Sequence, residues 1–108
     1  MHLAQKTCVA CEGGVAPLSR EEAEVLRQQT PLWQLQDDAR ALTREFRFPD
    51  FARALALVNA VGVLAETEGH HPDIQLSWGR VCISLTTHAI LGLSENDFIL
   101  AAKIDTIQ

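Results

Sequence analysis

The densest group of proton-handling side chains lies in the segment Glu66-Thr67-Glu68-Gly69-His70-His71-Pro72-Asp73. Glu66 and His70 are four residues apart, so they share a face if a helix continues that far. Another histidine, His88, follows a predicted strand whose end can lie near this segment. Histidine gives and takes protons at neutral pH because its reference pKa is about 6.5. We therefore predict that His70, His71 and His88 converge on one acid–base site.

The same residue types leave other interpretations open. Glu66, His70, His71 and His88 are all competent metal ligands, as in a metal-dependent hydrolase, but their spacing matches no zinc signature such as H-E-x-x-H. A histidine or glutamate at a helix end is commonly only a surface or capping residue. The run Cys8-Val9-Ala10-Cys11 is a C-x-x-C half-site without a second half, so it is a weak indication of metal or redox chemistry.

The composition indicates one globular domain and excludes several classes of protein. The chain has 108 residues, of which 47% are hydrophobic and 21% charged, with a net charge of −5. Such an acidic chain is a poor candidate for nucleic-acid or polybasic membrane binding. Its apolar stretch at residues 54–65 is shorter than the roughly 20 residues of a membrane span. Three cysteines and no apolar signal core predict a cytoplasmic protein without a disulfide framework.

Hydrophobic periodicity predicts an extended lead-in, residues 1–18, and then a single domain, residues 19–108, with the order α-β-β-α-β-β-α. Helices are expected to begin at three capping residues, namely Ser19, Asp50 and Ser94. Alternating residues predict strands at 32–36, 42–48, 74–78 and 81–85. This order favours an α+β fold, a four-stranded mainly antiparallel sheet with three helices on one face.

Four further expectations concern single elements. The first helix is expected to end at Pro31, and the long helix at Gly69. The long helix is expected to have one broad apolar face, formed by Phe51, Ala54, Leu55, Val58, Val61, Gly62 and Ala65. Gly79-Arg80 is expected to form the turn of the last hairpin, and Arg44 is expected at a sheet edge or in a pair.

Several motifs in this chain resemble those of the pterin-4a-carbinolamine dehydratases. They are Glu66-x-x-x-His70-His71-Pro72, Trp78, Thr87-His88, Gly92-Leu93-Ser94-Glu95-Asn96-Asp97-Phe98 and Ala101-Ala102-Lys103-Ile104. Upstream, Trp33 fits as well, and the segment from Cys8 to Leu18 is similar to the lead-in of bacterial members. The resemblance covers nearly the whole chain and implies the same order of helices and strands.

The resemblance implies that the chain eliminates water from a 4a-hydroxy-tetrahydropterin and releases the quinonoid dihydropterin, in tetrahydrobiopterin recycling. Such a hydro-lyase needs an acid for the departing hydroxyl and a base for the N5 proton, and no metal or other cofactor. By similarity His70, His71 and His88 are catalytic, with His70 and His88 as acids and His71 binding or accepting the N5 proton. Glu66, Thr86, Thr87 and Asp97 are expected to bind the substrate, the threonines through backbone groups.

The resemblance also implies partners. Family members form homodimers or homotetramers and act downstream of aromatic amino-acid hydroxylases, and some bind other proteins through their helices. A non-catalytic protein-binding module on the same fold is therefore the alternative function. Two residues depart from the family pattern: Gly69 stands where some members have an acidic residue, and Leu91 where many have a small one. A leucine there is expected to narrow the site or fill an interface. In addition, Asp97 has a structural interpretation, as the last residue of a Ser94-x-x-Asp97 capping box.

Overall fold

A four-stranded antiparallel sheet forms the centre of the computed structural model, which describes residues 3–9 and 15–107. The strands are β1 Gln34–Gln36, β2 Ala41–Arg47, β3 Asp73–Ser77 and β4 Arg80–Leu85, in the spatial order β1-β2-β4-β3. The helices are α1 Arg20–Arg27, α2 Phe51–Glu68 and α3 Glu95–Thr106, and short 3₁₀ turns lie at Leu3–Gln5 and His88–Ile90. The predicted α+β fold and element order are confirmed.

One face of the sheet is apolar because the strand register places alternate residues of β2 and β4 side by side. Leu42 pairs with Leu85 and Phe46 with Val81, and all four side chains are buried. The helices cover this face with buried residues that include Ala54, Leu57, Val61, Leu100 and Ile104. The opposite face carries polar side chains. Among them are Glu45 and Arg47, which form an ion pair at 3.2 Å.

Arg44 lies on the apolar parity of β2 and is paired, which is one of the two predicted outcomes. Its guanidinium forms an ion pair with Asp105 of α3 and lies 4.2 Å from the ring centroid of Phe46. The indole nitrogen of Trp33 donates to the same carboxylate at 2.9 Å. A charge on the covered side of the sheet is tolerated because a carboxylate and an aromatic face both contact it.

The three helices begin at the predicted capping residues. Ser19 Oγ accepts from the Glu22 amide at 3.1 Å while the Glu22 carboxylate accepts from the Ser19 amide at 2.8 Å, which completes a capping box. Asp50 caps α2 by accepting from the Arg53 amide at 2.8 Å. Gly69 follows α2 with φ of +66°, a left-handed conformation that favours glycine.

The structure differs from the sequence predictions at the ends and faces of some elements. The hairpin turn is Trp78-Gly79, one residue earlier than predicted, because Ser77 pairs with Arg80. Helix α1 ends at Arg27, before Pro31, and the lead-in is not wholly extended, since Leu3 lies in a 3₁₀ turn and is buried.

The predicted apolar face of α2 is also only partly covered. Leu57 is buried, whereas Phe51 and Leu55 of the predicted face are exposed. Residues 10–14, with Cys11 and Gly13-Gly14, lie outside the described residues. In residues 3–9 and 15–107, no helix is both long and apolar enough to cross a membrane.

Two glycines give a matched test of this packing. An added Cβ at Gly79 would lie 2.7 Å from the Phe48 carbonyl oxygen, whereas an added Cβ at Gly62 in α2 would meet nothing within 4 Å. We expect Gly79→Ala to lower the free energy of unfolding by about 1–3 kcal/mol, as overpacking does. Gly62→Ala should raise it by about 0.5–1 kcal/mol, because alanine favours a helix. Urea unfolding measures both, and a Gly79→Ala protein as stable as the wild type would contradict the close approach.

Candidate active site

A buried carboxylate holds one of the three predicted histidines. His70 Nε2 lies 2.6 Å from Asp97 Oδ1, and the side chains of His70 and Asp97 are 12% and 0% exposed. The helix from Glu66 does not continue to His70, because Gly69 turns the chain into a left-handed conformation. The side chain of His70 therefore faces α3, and its partner is Asp97 rather than Glu66.

Asp97 is fully satisfied by donors from three parts of the chain. Its Oδ2 accepts from the Thr87 hydroxyl at 2.8 Å and from the Ser94 amide at 3.0 Å. The carboxylate accepts in both of these bonds. We therefore assign the proton of the third bond, between His70 Nε2 and Asp97 Oδ1, to the histidine. With its only hydrogen donated to Asp97, Thr87 Oγ1 accepts from the Ser94 hydroxyl at 2.8 Å. The predicted capping role of Asp97 and its contact with His70 are therefore performed by one side chain.

His71 pairs with a different carboxylate, that of Glu66, through its Nε2. This pair is solvent-accessible, with side chains 60% and 78% exposed. Both side chains can rearrange around a ligand, because water can replace the hydrogen bond between them. The site thus combines a rigid, buried histidine–carboxylate pair with an adaptable, exposed one.

All three predicted histidines line the same open cavity of about 270 Å³. Its lining residues are Gly69, His70, His71, Thr86, Thr87, His88 and Ala89. His88 is exposed at the start of the 3₁₀ turn that follows β4. Glu66 and Asp97 do not line the cavity and contact it only through His71 and His70. A larger cleft of about 450 Å³ elsewhere is lined by Leu3, Ala4, Gln29, Ala102 and Asp105, with one titratable side chain, so the smaller cavity is the better candidate.

The two threonines differ in what they offer to a ligand. The Thr87 amide donates to the Gly92 carbonyl at 2.8 Å, and its carbonyl accepts from the Ile90 amide at 3.2 Å. The backbone of Thr87 is thus already engaged, and its hydroxyl supports Asp97. The Thr86 hydroxyl donates to the Arg40 carbonyl at 2.7 Å. Their predicted contacts with a substrate stay predictions.

The two departures from the family pattern have local explanations. An added Cβ at Gly69 would meet nothing within 4 Å, so the positive φ rather than crowding favours glycine there. Leu91 also has a positive φ, of 57°, and is 79% exposed. Its side chain is not part of the cavity lining, so of the two expected roles the filling of an interface stays a prediction.

The N-terminal segment next to the site was missed as a functional element. The Cys8 amide donates to Glu68 Oε1 at 2.9 Å, and Glu68 Oε2 lies 3.5 Å from Lys103 Nζ of α3. These contacts lower the pKa of the Glu68 carboxyl, the Cys8 amide first and the Lys103 charge after it. Burial, with the nearby Glu68 charge, raises the pKa of the Cys8 thiol to about 12. The sequence indicated only a solvated helix end at Glu68, because the amide that binds it is 60 residues away.

The same side chains were also candidates for a metal site. In the part of the chain that the structure describes, no three His, Cys, Asp or Glu side chains are placed to hold a metal ion together. Three of the four residues considered as metal ligands instead belong to two separate contacts, since His70 bonds Asp97 and His71 bonds Glu66. Cys8 is buried in this structure, and Cys11 lies outside the described residues.

Comparison with known proteins decides the family. Residues 16–107 match the family model described as pterin 4 alpha carbinolamine dehydratase. The chain belongs to this family of pterin dehydratases. A relative from Halorhodospira halophila is 52% identical over 99% of this chain and 98% of its own length, and one from Methylococcus capsulatus is 50% identical over 97% and 92%. Both carry the name pterin-4-alpha-carbinolamine dehydratase provisionally.

Two solved structures share the pterin dehydratase fold. A transcriptional coactivator/pterin dehydratase from Brucella melitensis is 32% identical, with a TM-score of 0.79 over 84% of this chain and 97% of that one. A pterin dehydratase-like protein described as a RuBisCO assembly factor of the alpha-carboxysome is 28% identical, with a TM-score of 0.60 over 69% and 87%. Proteins that share this fold are therefore described with different functions.

The lowered pKa of Glu68 predicts how pH changes stability. An ionised Glu68 stabilises the folded state above its unfolded pKa of about 4.5, and this contribution is lost as pH falls through the lower folded value. We expect Glu68→Gln to be less stable than the wild type at pH 7, with the difference shrinking towards pH 3. Urea unfolding at several pH values measures this difference, and Glu21→Gln, an exposed residue of α1, corrects for the loss of one surface charge. A difference that stays constant down to pH 3 would contradict the assignment.

Proposed function

We propose that this chain is a 4a-hydroxytetrahydropterin dehydratase that eliminates water and releases quinonoid dihydropterin. The observation that carries the proposal is the His70–Asp97 pair at a cavity that His71 and His88 also line. Loss of the hydroxyl breaks the C4a–O bond and needs a proton on the departing oxygen. Loss of the N5 proton supplies the electron pair that forms the new C=N bond. Both steps are proton transfers, for which positioned imidazoles suffice.

The histidines divide this work according to their surroundings. Asp97 holds Nε2 of His70, so Nδ1 is the nitrogen with which His70 can exchange a proton with the substrate. We assign His70 and His88 to protonation of the hydroxyl, from one or the other face of the ring. His71 binds or accepts the N5 proton, with Glu66 as its support. Thr86 and Thr87 line the pterin cavity, and no metal or other cofactor takes part in these steps.

This reaction places the protein after an enzyme that oxygenates a tetrahydropterin. We propose that an aromatic amino-acid hydroxylase supplies the 4a-hydroxy compound and that the product returns to the tetrahydrobiopterin pool. The family membership and the histidine-lined cavity support this assignment. The compartment predicted from the cysteines, the cytoplasm, remains part of this proposal.

Stopped-flow kinetics tests the proposal. A 4a-hydroxytetrahydropterin formed by a hydroxylase is mixed with the protein, and the quinonoid product is followed by absorbance. We expect a clear acceleration over buffer, and a loss of about 10²-fold or more in kcat for His70→Ala and for His88→Ala, as removal of a general acid causes. His2→Ala, the remaining histidine of the chain, is the matched control and should keep wild-type rates.

Two results would contradict the dehydratase. One is an intact wild-type protein that gives no acceleration. The other is a His88→Ala protein as fast as the wild type. Activity that is lost with EDTA and restored by Zn²⁺ would instead favour the metal-dependent alternative, whereas we expect EDTA to have no effect.

We also propose that the chain forms a homodimer or a homotetramer. Helix α2 presents apolar side chains to solvent, among them Phe51, Leu55 and Val63, which are 44%, 38% and 68% exposed. Strand β3 forms an open edge of the sheet, and a chain of 11.9 kDa has little core of its own. A second copy would cover these surfaces. The alternative function, a protein-binding module, would use the same helix for another protein.

Light scattering after gel filtration tests the oligomeric state. We expect a mass at least twice the 11.9 kDa of one chain. Val63→Glu should shift the mass towards one chain, because it places a charge in the proposed contact, while Thr67→Glu, one turn farther along α2, should have a smaller effect. A wild-type protein of one chain mass would contradict the oligomer and leave α2 as a surface for a different partner.

A further inference from the structure

The N-terminal strap, residues 6–9, binds the two helix ends that carry the His70–Asp97 pair. On one side the Cys8 amide donates to Glu68, two residues before His70. On the other side Val9 and Asn96 form two hydrogen bonds. The Val9 amide donates to Asn96 Oδ1 at 3.0 Å, and Asn96 Nδ2 donates to the Val9 carbonyl at 2.6 Å. Asn96 directly precedes Asp97. The strap therefore joins the end of α2 to the start of α3 within two residues of the pair.

The side chains that hold the strap are largely buried, although Val9 itself is 72% exposed. Asn96 is 5% exposed, and the side chain of Glu68 is 9% exposed. The Cys8 thiol donates to the Asn96 carbonyl at 3.6 Å, which is consistent with a thiol that stays protonated. Buried amide and carboxylate groups are costly unless they are paired. A shift of the strap would remove both hydrogen bonds of the Asn96 side chain and leave Glu68 with Lys103 alone. The strap thereby fixes the end of α2 relative to the start of α3, although His70 and Asp97 are 27 residues apart in the sequence.

We propose that Asn96 and Glu68 are positioning residues, which act through the strap to set the geometry of the His70–Asp97 pair for proton transfer. Neither side chain lines the cavity, so neither is placed to contact a substrate there. Their effect is on the distance and direction of the His70 ring, which depends on where α2 ends and α3 begins. A displacement of about 1 Å at a catalytic group can cost up to about 10²-fold in rate. The catalytic part of this inference rests on the proposed dehydratase function.

The test compares Asn96→Ala with Lys6→Met. Asn96→Ala removes both bonds to Val9, whereas Lys6→Met removes only the exposed ion pair of the strap with Glu95. We expect Asn96→Ala to lower kcat by about tenfold with KM changed less than about threefold. Lys6→Met should keep the wild-type kcat. Such a split identifies lost positioning rather than lost substrate binding.

A second readout does not depend on the reaction. In ¹⁵N-histidine NMR of the free protein, the His70 Nε2 proton bonded to a carboxylate should give a downfield resonance. It should move upfield or broaden in Asn96→Ala and stay in place in Lys6→Met. If the wild type failed to dehydrate a pterin, the proposed function would fail while this measurement would still decide the role of the strap.

Circular dichroism and thermal melting establish that each variant is folded. If Asn96→Ala does not fold, Glu68→Ala tests the same strap from its other side, because it removes the bond to the Cys8 amide. A folded Asn96→Ala or Glu68→Ala with wild-type kcat and an unchanged His70 resonance would overturn the inference. So would a lowered kcat with an unchanged resonance, since the loss would then not pass through the His70–Asp97 pair.

Discussion

The fold of this protein depends on how one fully buried carboxylate, that of Asp97, is satisfied. A carboxylate without water is strongly unfavourable unless hydrogen-bond donors replace the solvent. Asp97 obtains three donors, namely the Thr87 hydroxyl, the Ser94 amide and His70 Nε2. They come from the loop after β4, the start of α3 and the end of α2, so these three parts of the chain must meet. The need to satisfy one charge therefore fixes the arrangement of the site.

The ends of the elements that meet at Asp97 orient hydrogen-bond donors towards its carboxylate. Helix α2 ends at Gly69, whose left-handed conformation turns His70 out of the helix and towards α3. The bridge between Thr87 and Gly92 closes the loop after β4 and leaves the Thr87 hydroxyl facing Asp97. On the far side of the two helix ends, the strap contacts Glu68 and Asn96. The pair His70–Asp97 is thus held from the cavity side by a loop and from the other side by the lead-in.

The sequence was sufficient for features that depend on neighbouring residues. Capping by Ser19 and Asp50, and the alternation in β4, follow from spacings of two or three residues and are confirmed. The hairpin turn was displaced by one residue because its position also depends on the hydrogen bond of Gly79 with Phe48, more than 30 residues away. The Leu3 turn was missed for a similar reason, since its packing on α3 is a contact between opposite ends of the chain.

The candidate site divides in the same way. The convergence of His70, His71 and His88 was predictable from the element order, whereas the partners of His70 and His71 were not. Glu66 and His70 have a helical spacing, yet the helix ends between them and Glu66 contacts His71. Asp97 had a sufficient local explanation as a capping residue, and this explanation hid its bond to a residue 27 positions away. Local patterns identify the candidate residues of the site, while long-range packing decides which of them contact one another.

A chain of this length can hold such a site because the same groups stabilise the fold and orient the candidate catalytic side chains. The Ser94-to-Asp97 contact stabilises the start of α3, and the same carboxylate orients His70. The Glu66–His71 contact lies in solvent, so it can rearrange on binding a ligand without leaving a buried polar group unpaired. The rigid pair is therefore the one built into the core, and the adaptable pair is the one placed in solvent. In the proposed dehydration both steps are proton transfers. The Asp97 carboxylate would hold one imidazole in place for them, while the exposed Glu66 carboxylate leaves the other imidazole able to adjust to the substrate.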